Sequence, residues 1–206
     1  MNYYELWNIM ARWKKEFTVK EFASTFVSPD HNKVLFDMAR KGLVQRLGWG
    51  RYRVVPQEEY VKTKTDVAKA YELVRKAELP YIFTGPDAVF LWTKGGYNAD
   101  RFFGFYPINL KIKRKDLPKW RRFFSSTRQR FVVGGGPARE TLFGLFYLLQ
   151  VAERLEKASV SGFSVEPLQN TVKFCRDNVY TYEPALEMLD EMYDLGLGVK
   201  YRESSA

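Results

Sequence analysis

The chain has 206 residues, 46% of them hydrophobic and 17% aromatic, which is enough apolar side chain for one large core or two small ones. A single cysteine, Cys175, excludes an internal disulfide, and no apolar run approaches the ~20 residues needed to cross a bilayer. Net charge is +9 and uneven: residues 1–60 hold 10 basic and 7 acidic side chains, residues 61–136 hold 16 and 6, and residues 137–206 hold 7 and 11, so the middle third is drawn to polyanions.

The amino terminus, MNYYELWNIMARWKKEF, mixes charges into its apolar pattern and ends without a small-residue cleavage site, so a signal peptide is not expected and a cytoplasmic protein is. Leu6, Ile9, Met10 and Trp13 recur at spacings of three and four and predict a helix over residues 3–15 with that stripe inward. In FTVKEFASTF, Thr18 and Glu21 stand at capping-box spacing and open a second helix that ends near Val27, with Phe22, Ala23 and Phe26 on its apolar face. Ser28 as cap and Pro29 at the first helical position predict a third helix from Pro29 to about Lys41, closed by Gly42. A rotation of about 100° per residue groups His31, Leu35, Met38 and Ala39 on its packed side and Lys33, Phe36, Asp37 and Arg40 outside. His31, the only histidine, is therefore assigned no chemistry.

LVQRL at 43–47, the turn GWG and RYRVV at 51–55 read as a hairpin with an aromatic tip. Three helices followed by a hairpin is the order of a winged helix-turn-helix, whose reading helix enters the major groove while the wing touches the backbone. Asn32 and Lys33, at the start of the reading helix, are the candidates for base edges, with Arg40 behind them in the groove. Arg46, Arg51 and Arg53 are placed to reach phosphates, and Trp49 to lie along a sugar face or in the minor groove.

From Pro56 to about Thr65 the polar PQEEYVKTKT reads as a boundary or hinge. Beyond it, a helix over Val67 to Ala77 is followed by YIFTGPDAVFLW, which reads as a buried strand, a turn at Gly85-Pro86 and a helix. Strands are predicted within 105–112 and at 131–133. A glycine turn then leads into a long helix from Pro137 to Lys157, and two amphipathic helices follow, Glu166 to Asp177 and Tyr182 to Asp194.

That layout is shared with nucleotidyltransferase cores, which place a D-x-D pair on the strand after the glycine turn to hold two metal ions. Here the strand reads YPINLKIK, with Asn109 among apolar and basic residues, and Asp100 and Asp116 are too far apart to stand together on it. GGGPARE at 134–140 matches neither phosphate-loop pattern and reads as a plain strand-to-helix turn. One His and one Cys exclude most catalytic triads and zinc sites. No cofactor and no metal are expected. The run at 111–130 holds nine basic side chains interleaved with Trp120, Phe123 and Phe124, and reads equally as a solvated face or as a second nucleic-acid or acidic-partner surface.

FTVKEFASTF, MARKGLVQRLGWGRYRV, YIFTGPDAVFLW and PARETLFGLFYL together give the chain a resemblance, over most of its length, to the abortive-infection (AbiEi-like) type IV antitoxins and their archaeal relatives. The resemblance implies a winged-helix DNA-binding domain joined to a nucleotidyltransferase-like domain without catalytic residues, acting as an autorepressor and toxin antagonist. Few Gln and Asn beside many Lys, Arg, Glu and Tyr is also a thermophile's composition.

The expectation is thus an α+β protein with a winged helix-turn-helix at 1–58 and a degenerate, mixed α/β nucleotidyltransferase-like domain with a C-terminal helical section at 66–206. Its function would be transcriptional regulation by binding double-stranded DNA, without catalysis. Self-association or a toxin-like protein is the other expected partner, and no membrane is. The alternatives are a nucleotide-transferring enzyme relying on Asp87 or Asp100, and a module that docks an acidic protein.

Overall fold

The computed structural model describes residues 2–99, 101, 104–134 and 142–199. The chain is mixed α and β and divides into two compact units, Met1–Lys64 and Thr65–Ala206.

The first unit runs α1 (Tyr3–Trp13), β1 (Glu16–Thr18), α2 (Val19–Thr25), α3 (His31–Arg40), β2 (Val44–Gly48), β3 (Arg51–Val54) and α4 (Gln57–Lys64). Its three strands form an antiparallel sheet ordered β1-β3-β2. Thr18 makes the capping box expected of it: its Oγ1 accepts from Glu21 N at 3.2 Å, and its own N–H donates back to Glu21 Oε2 at 2.8 Å. Met10, Phe22, Leu35 and Met38 are fully buried with Trp7, Phe17 and Leu43 around them. Each such side chain contributes about 1.5–3 kcal/mol by leaving water.

Four expectations for this unit are corrected. The inward stripe of α1 is turned toward Trp7, whose indole Nε1 donates to Val55 O at 2.8 Å, and Ile9 is left 58% exposed. Helix α3 starts two residues later than Pro29, because Asp30 rather than Ser28 caps it, its carboxylate accepting from Lys33 N at 2.9 Å. Strand β1 was not foreseen: three residues between helices are too few to show an alternating pattern, and their strand state comes from pairing with Arg51–Arg53. The stretch read as a boundary or hinge is helical over Gln57–Lys64, with Tyr60 packed on Trp7 at a centroid distance of 5.2 Å, and the division between the two units falls at its end, between Lys64 and Thr65.

The second unit contains α5 (Val67–Arg75), β4 (Tyr81–Phe83), α6 (Pro86–Trp92), β5 (Phe105–Lys113), a 3-10 turn at Arg114–Asp116, α7 (Leu117–Ser126), β6 (Phe131–Val133), β7 (Gly144–Ala152), β8 (Ala158–Val160), β9 (Phe163–Val165), α8 (Leu168–Asp177) and α9 (Val179–Tyr193). The sheet order is β6-β7-β5-β4-β9-β8, with β5, β6 and β7 mutually parallel and β4 antiparallel to β5. Alternation along β5 separates two layers. Ile108, Leu110 and Ile112 join Trp120 and Phe124 of α7 and Tyr71 of α5 in the larger core, whereas Asn109 and Lys111 point to the opposite face. A smaller cluster on Val89, Val172, Cys175, Leu186 and Leu189 ties α6 to α8 and α9.

The long helix expected from Pro137 to Lys157 is overturned: residues 144–152 are strand β7, paired with β5 along its whole length, while residues 135–141 lie outside the described residues. A run such as LFYLLQVA is apolar on both sides of a strand and on every side of a helix, so periodicity could not separate the two, and parallel pairing decided it.

Candidate nucleic-acid interface

Helix α3 turns Asn32, Lys33, Phe36 and Arg40 outward, all exposed, while Val34, Leu35 and Met38 anchor its inner side. His31 sits against the core, its Nε2 donating to Phe26 O at 2.9 Å. Asp37, the acid on the outer side, is engaged: it accepts from Tyr3 OH at 2.9 Å and lies 3.8 Å from Arg40. Its charge therefore reaches solvent already screened by two partners.

The hairpin β2–β3 closes through Trp49 and Gly50, the latter in the left-handed region at φ +65°. A register shift between Arg46 and Gly48 sharpens the tip, and Trp49 stands 96% exposed on it. Arg46 is exposed and its Nε donates to the nearby Gly48 O at 3.3 Å, with no ion-pair partner among the described residues. Arg51 meets Glu16 at 3.2 Å, but both side chains are more than half exposed, so the pair is loose and worth at most about 1 kcal/mol.

Arg53 is different. Its guanidinium forks onto Glu59 at 2.8 and 2.6 Å and its Nε donates to Gln45 at 2.6 Å. Hydrogen bonding to Glu59 holds the Arg53 pKa above its ordinary value, and the same contact lowers that of Glu59. Three of the five N–H donors of Arg53 are engaged, among them the Nη1–Nη2 fork that would clamp a phosphate, so this residue fastens α4 to the hairpin.

Of the seven sequence candidates, α3 gathers Asn32, Lys33 and Arg40, and the hairpin tip gathers Arg46, Trp49 and Arg51. The structure adds Phe36, 64% exposed between Lys33 and Arg40. The helical periodicity already placed Phe36 outside beside Lys33 and Arg40; an aromatic exposed there, at i+3 from a lysine, was the signal for a contact role.

In the second unit, a cleft of about 650 Å³ is lined by Thr84, Asn109, Lys111, Gln150, Glu166 and Lys173, among others. Glu166, nearly buried, accepts from Thr84 Oγ1 at 2.5 Å and pairs with Lys111. Behind the cleft lies a buried knot. Asp87, fully buried, accepts from Tyr71 OH and Arg101 Nη2 at 2.5 Å each, from Asn109 N at 2.7 Å and from Asn109 Nδ2 at 2.9 Å. Burial pushes the Asp87 carboxyl up, against the pull of Arg101 and of these donors. Asp100 lies outside the described residues.

No family model matches the sequence, and no characterised protein is similar enough to it to stand as a relative.

Proposed function

We propose that the protein is a DNA-binding transcriptional regulator whose first unit is a winged helix. The observation that carries this reading is a sheet ordered β1-β3-β2 behind α3, with a short hairpin projecting an exposed Trp49 flanked by Arg46 and Arg51. On this reading α3 enters the major groove, Asn32 and Lys33 pair with base edges, Phe36 meets a thymine methyl group, and Arg40, Arg46 and Arg51 hold phosphates. Arg53 has its fork engaged by Glu59 and acts by positioning the hairpin.

The second unit is read as non-catalytic. A nucleotidyl-transfer site would need paired carboxylates on β5, where the chain has Asn109 and Lys111, and a strand carrying an amide and an ammonium is a poor host for a divalent ion. Of the two acids lining the cleft, Glu166 is held by Lys111 and Thr84, and Asp177 stands at the end of α8, away from that strand in sequence. Asp87, the remaining acid of the enzyme alternative, is walled off and fully committed to internal donors. An antitoxin-like autorepressor acting on a toxin-like protein is the role that the sequence resemblance suggests, and co-purification with the product of an adjacent nucleotidyltransferase-like gene is its direct check.

The DNA reading is tested by mobility shift against a random duplex pool with bound-fragment selection. Lys33→Ala should blunt sequence preference, costing about 1–3 kcal/mol at one base position. Arg51→Ala should weaken all duplexes alike and lower the salt slope by about 1. Unchanged duplex affinity and preference in both variants refutes the reading.

A further inference from the structure

The second unit carries a cationic face that the winged-helix reading does not use. Helix α7 and the 3-10 turn before it present Lys115, Lys119, Arg121 and Arg122 to solvent, and Arg128 follows just past the helix end, all exposed. Residues 117–130 contain no Asp or Glu. Two of the neighbouring cations are occupied, Arg114 with Glu153 at 2.6 Å and Lys119 near Asp116 at 3.8 Å. Lys115, Arg121, Arg122 and Arg128 have no ion-pair partner among the described residues.

The inner face of the same helix fixes where those charges stand. Trp120 and Phe124 are fully buried, Phe124 stacks on Tyr147 with centroids 4.4 Å apart, and Trp120 Nε1 donates to Pro80 O at 3.3 Å. Two simpler explanations fit poorly. A basic amphipathic helix that binds membranes inserts its apolar side, and here that side is already in the core. Cations that guard an open sheet edge belong on the edge strand, which is β6, whereas Lys115, Arg121 and Arg122 stand on the turn and helix before it.

Arg121 and Arg122 stand on α7 itself, Lys115 lies in the 3-10 turn before it and Arg128 two residues past its end, so the four charges flank and cover one helix. Exposed charges on and beside a helix that is anchored by its buried inner face suit a polyanionic backbone and are indifferent to sequence.

We propose that the outer face of α7 binds the phosphate backbone of duplex DNA, giving the second unit its own sequence-independent contact. The proposal rests on the reading of the first unit as the DNA-binding module, and the test separates the two. The full chain carrying Lys115→Gln, Arg121→Gln, Arg122→Gln and Arg128→Gln is titrated against a 60-base-pair duplex at several salt concentrations, beside a Lys33→Ala/Arg51→Ala chain. Loss of four phosphate contacts should lower the slope of log K against log salt by about 3–4 and weaken binding by at least about tenfold near physiological salt, with the unfolding temperature unchanged. A chain with Lys115→Arg, Arg121→Lys, Arg122→Lys and Arg128→Lys should keep the slope, since only the charges matter.

An unchanged slope in the glutamine variant overturns the proposal, and leaves the first-unit reading intact if Lys33→Ala/Arg51→Ala still abolishes sequence preference. A lowered slope with no effect of Lys33→Ala/Arg51→Ala sustains the proposal and sinks the winged-helix reading. Retained DNA binding with lost capture of a polyglutamate probe overturns it in favour of an acidic protein partner.

Discussion

Asp87 offers the sharpest test of the division between structural and chemical roles in the second unit. Replacing it by alanine removes the acceptor of four donors at once: Tyr71 OH, Arg101 Nη2, Asn109 N and Asn109 Nδ2. The Arg101 side chain is 3% exposed, so its charge would lose its anionic partner and keep only the neutral acceptors Asn98 Oδ1 and Tyr71 OH. Breaking a buried pair from one side costs about 3–5 kcal/mol, a large part of the 5–15 kcal/mol that holds a typical domain together. For a unit of this size each kcal/mol lowers the melting temperature by about 2–4 °C, so Asp87→Ala should lose roughly 6–20 °C in a calorimetric or circular-dichroism melt. Removing both charges together with Asp87→Leu and Arg101→Met should recover the part of the loss due to the orphaned charge, while Tyr71 OH, Asn109 N and Asn109 Nδ2 remain without their acceptor. A single variant within about 1 kcal/mol of the parent in urea unfolding refutes the reasoning, as does a double variant less stable than the two single losses combined. A catalytic Asp87 predicts the reverse pattern, with stability kept and activity lost.

In the first unit, Thr18→Ala removes the hydroxyl half of the capping box of α2, which accepts from Glu21 N, while the backbone N–H of residue 18 still donates to Glu21, and it should cost about 0.5–2 kcal/mol in chemical unfolding; no measurable cost would show that the hydroxyl cap is dispensable. The hydrogen bond from Lys14, helped by Thr18, lowers the Glu21 carboxyl from 4.5 to about 2. A depressed carboxylate stabilises the fold fully above pH 4.5 and loses that contribution as pH falls through about 2. Carboxyl NMR shifts should therefore show Glu21 titrating near the lower value, and a midpoint near the upper one would contradict the contact. Burial pushes the Cys175 thiol up to about 12 and leaves it fully covered, so a disulfide reagent at pH 8 should modify it only after unfolding.

What could be read in advance follows from how far a signal travels along the chain. The capping box, the outward face of α3 and the strand-turn-helix of YIFTGPDAVFLW are local patterns, and the structure has all three. The failures are non-local. Strand β1 exists because β3 is beside it, and β7 is a strand because β5 pairs with it over nine residues. Helix α4 is too polar to announce itself, yet Tyr60 and Glu59 fold it onto Trp7 and Arg53. The same limit applied to the site. Sequence gave Arg46, Arg51 and Arg53 equal standing, and only the partner across the sheet, Glu59 or Glu16, shows which guanidinium is clamped and which is loosely held.

A cation's availability, rather than its presence, therefore sets what a nucleic acid would meet. On the proposed function the first unit offers three phosphate contacts, Arg40, Arg46 and Arg51, and hence a salt slope of only about −2.7. Duplex binders that make 6–10 phosphate contacts have slopes of about −5 to −9. Adding the four unpartnered cations of α7 and its flanks brings the count to seven and the slope to about −6, inside that range. A measured slope near −3 would mean that the first unit binds alone, with the charge on α7 serving another purpose. A slope near −6 would require cations beyond Arg40, Arg46 and Arg51; Arg53 is engaged by Glu59 and Lys14 by Glu21, and a fall toward about −3 in the glutamine variant of α7 is what would assign the extra contacts to the second unit rather than to exposed first-unit lysines such as Lys15 and Lys20.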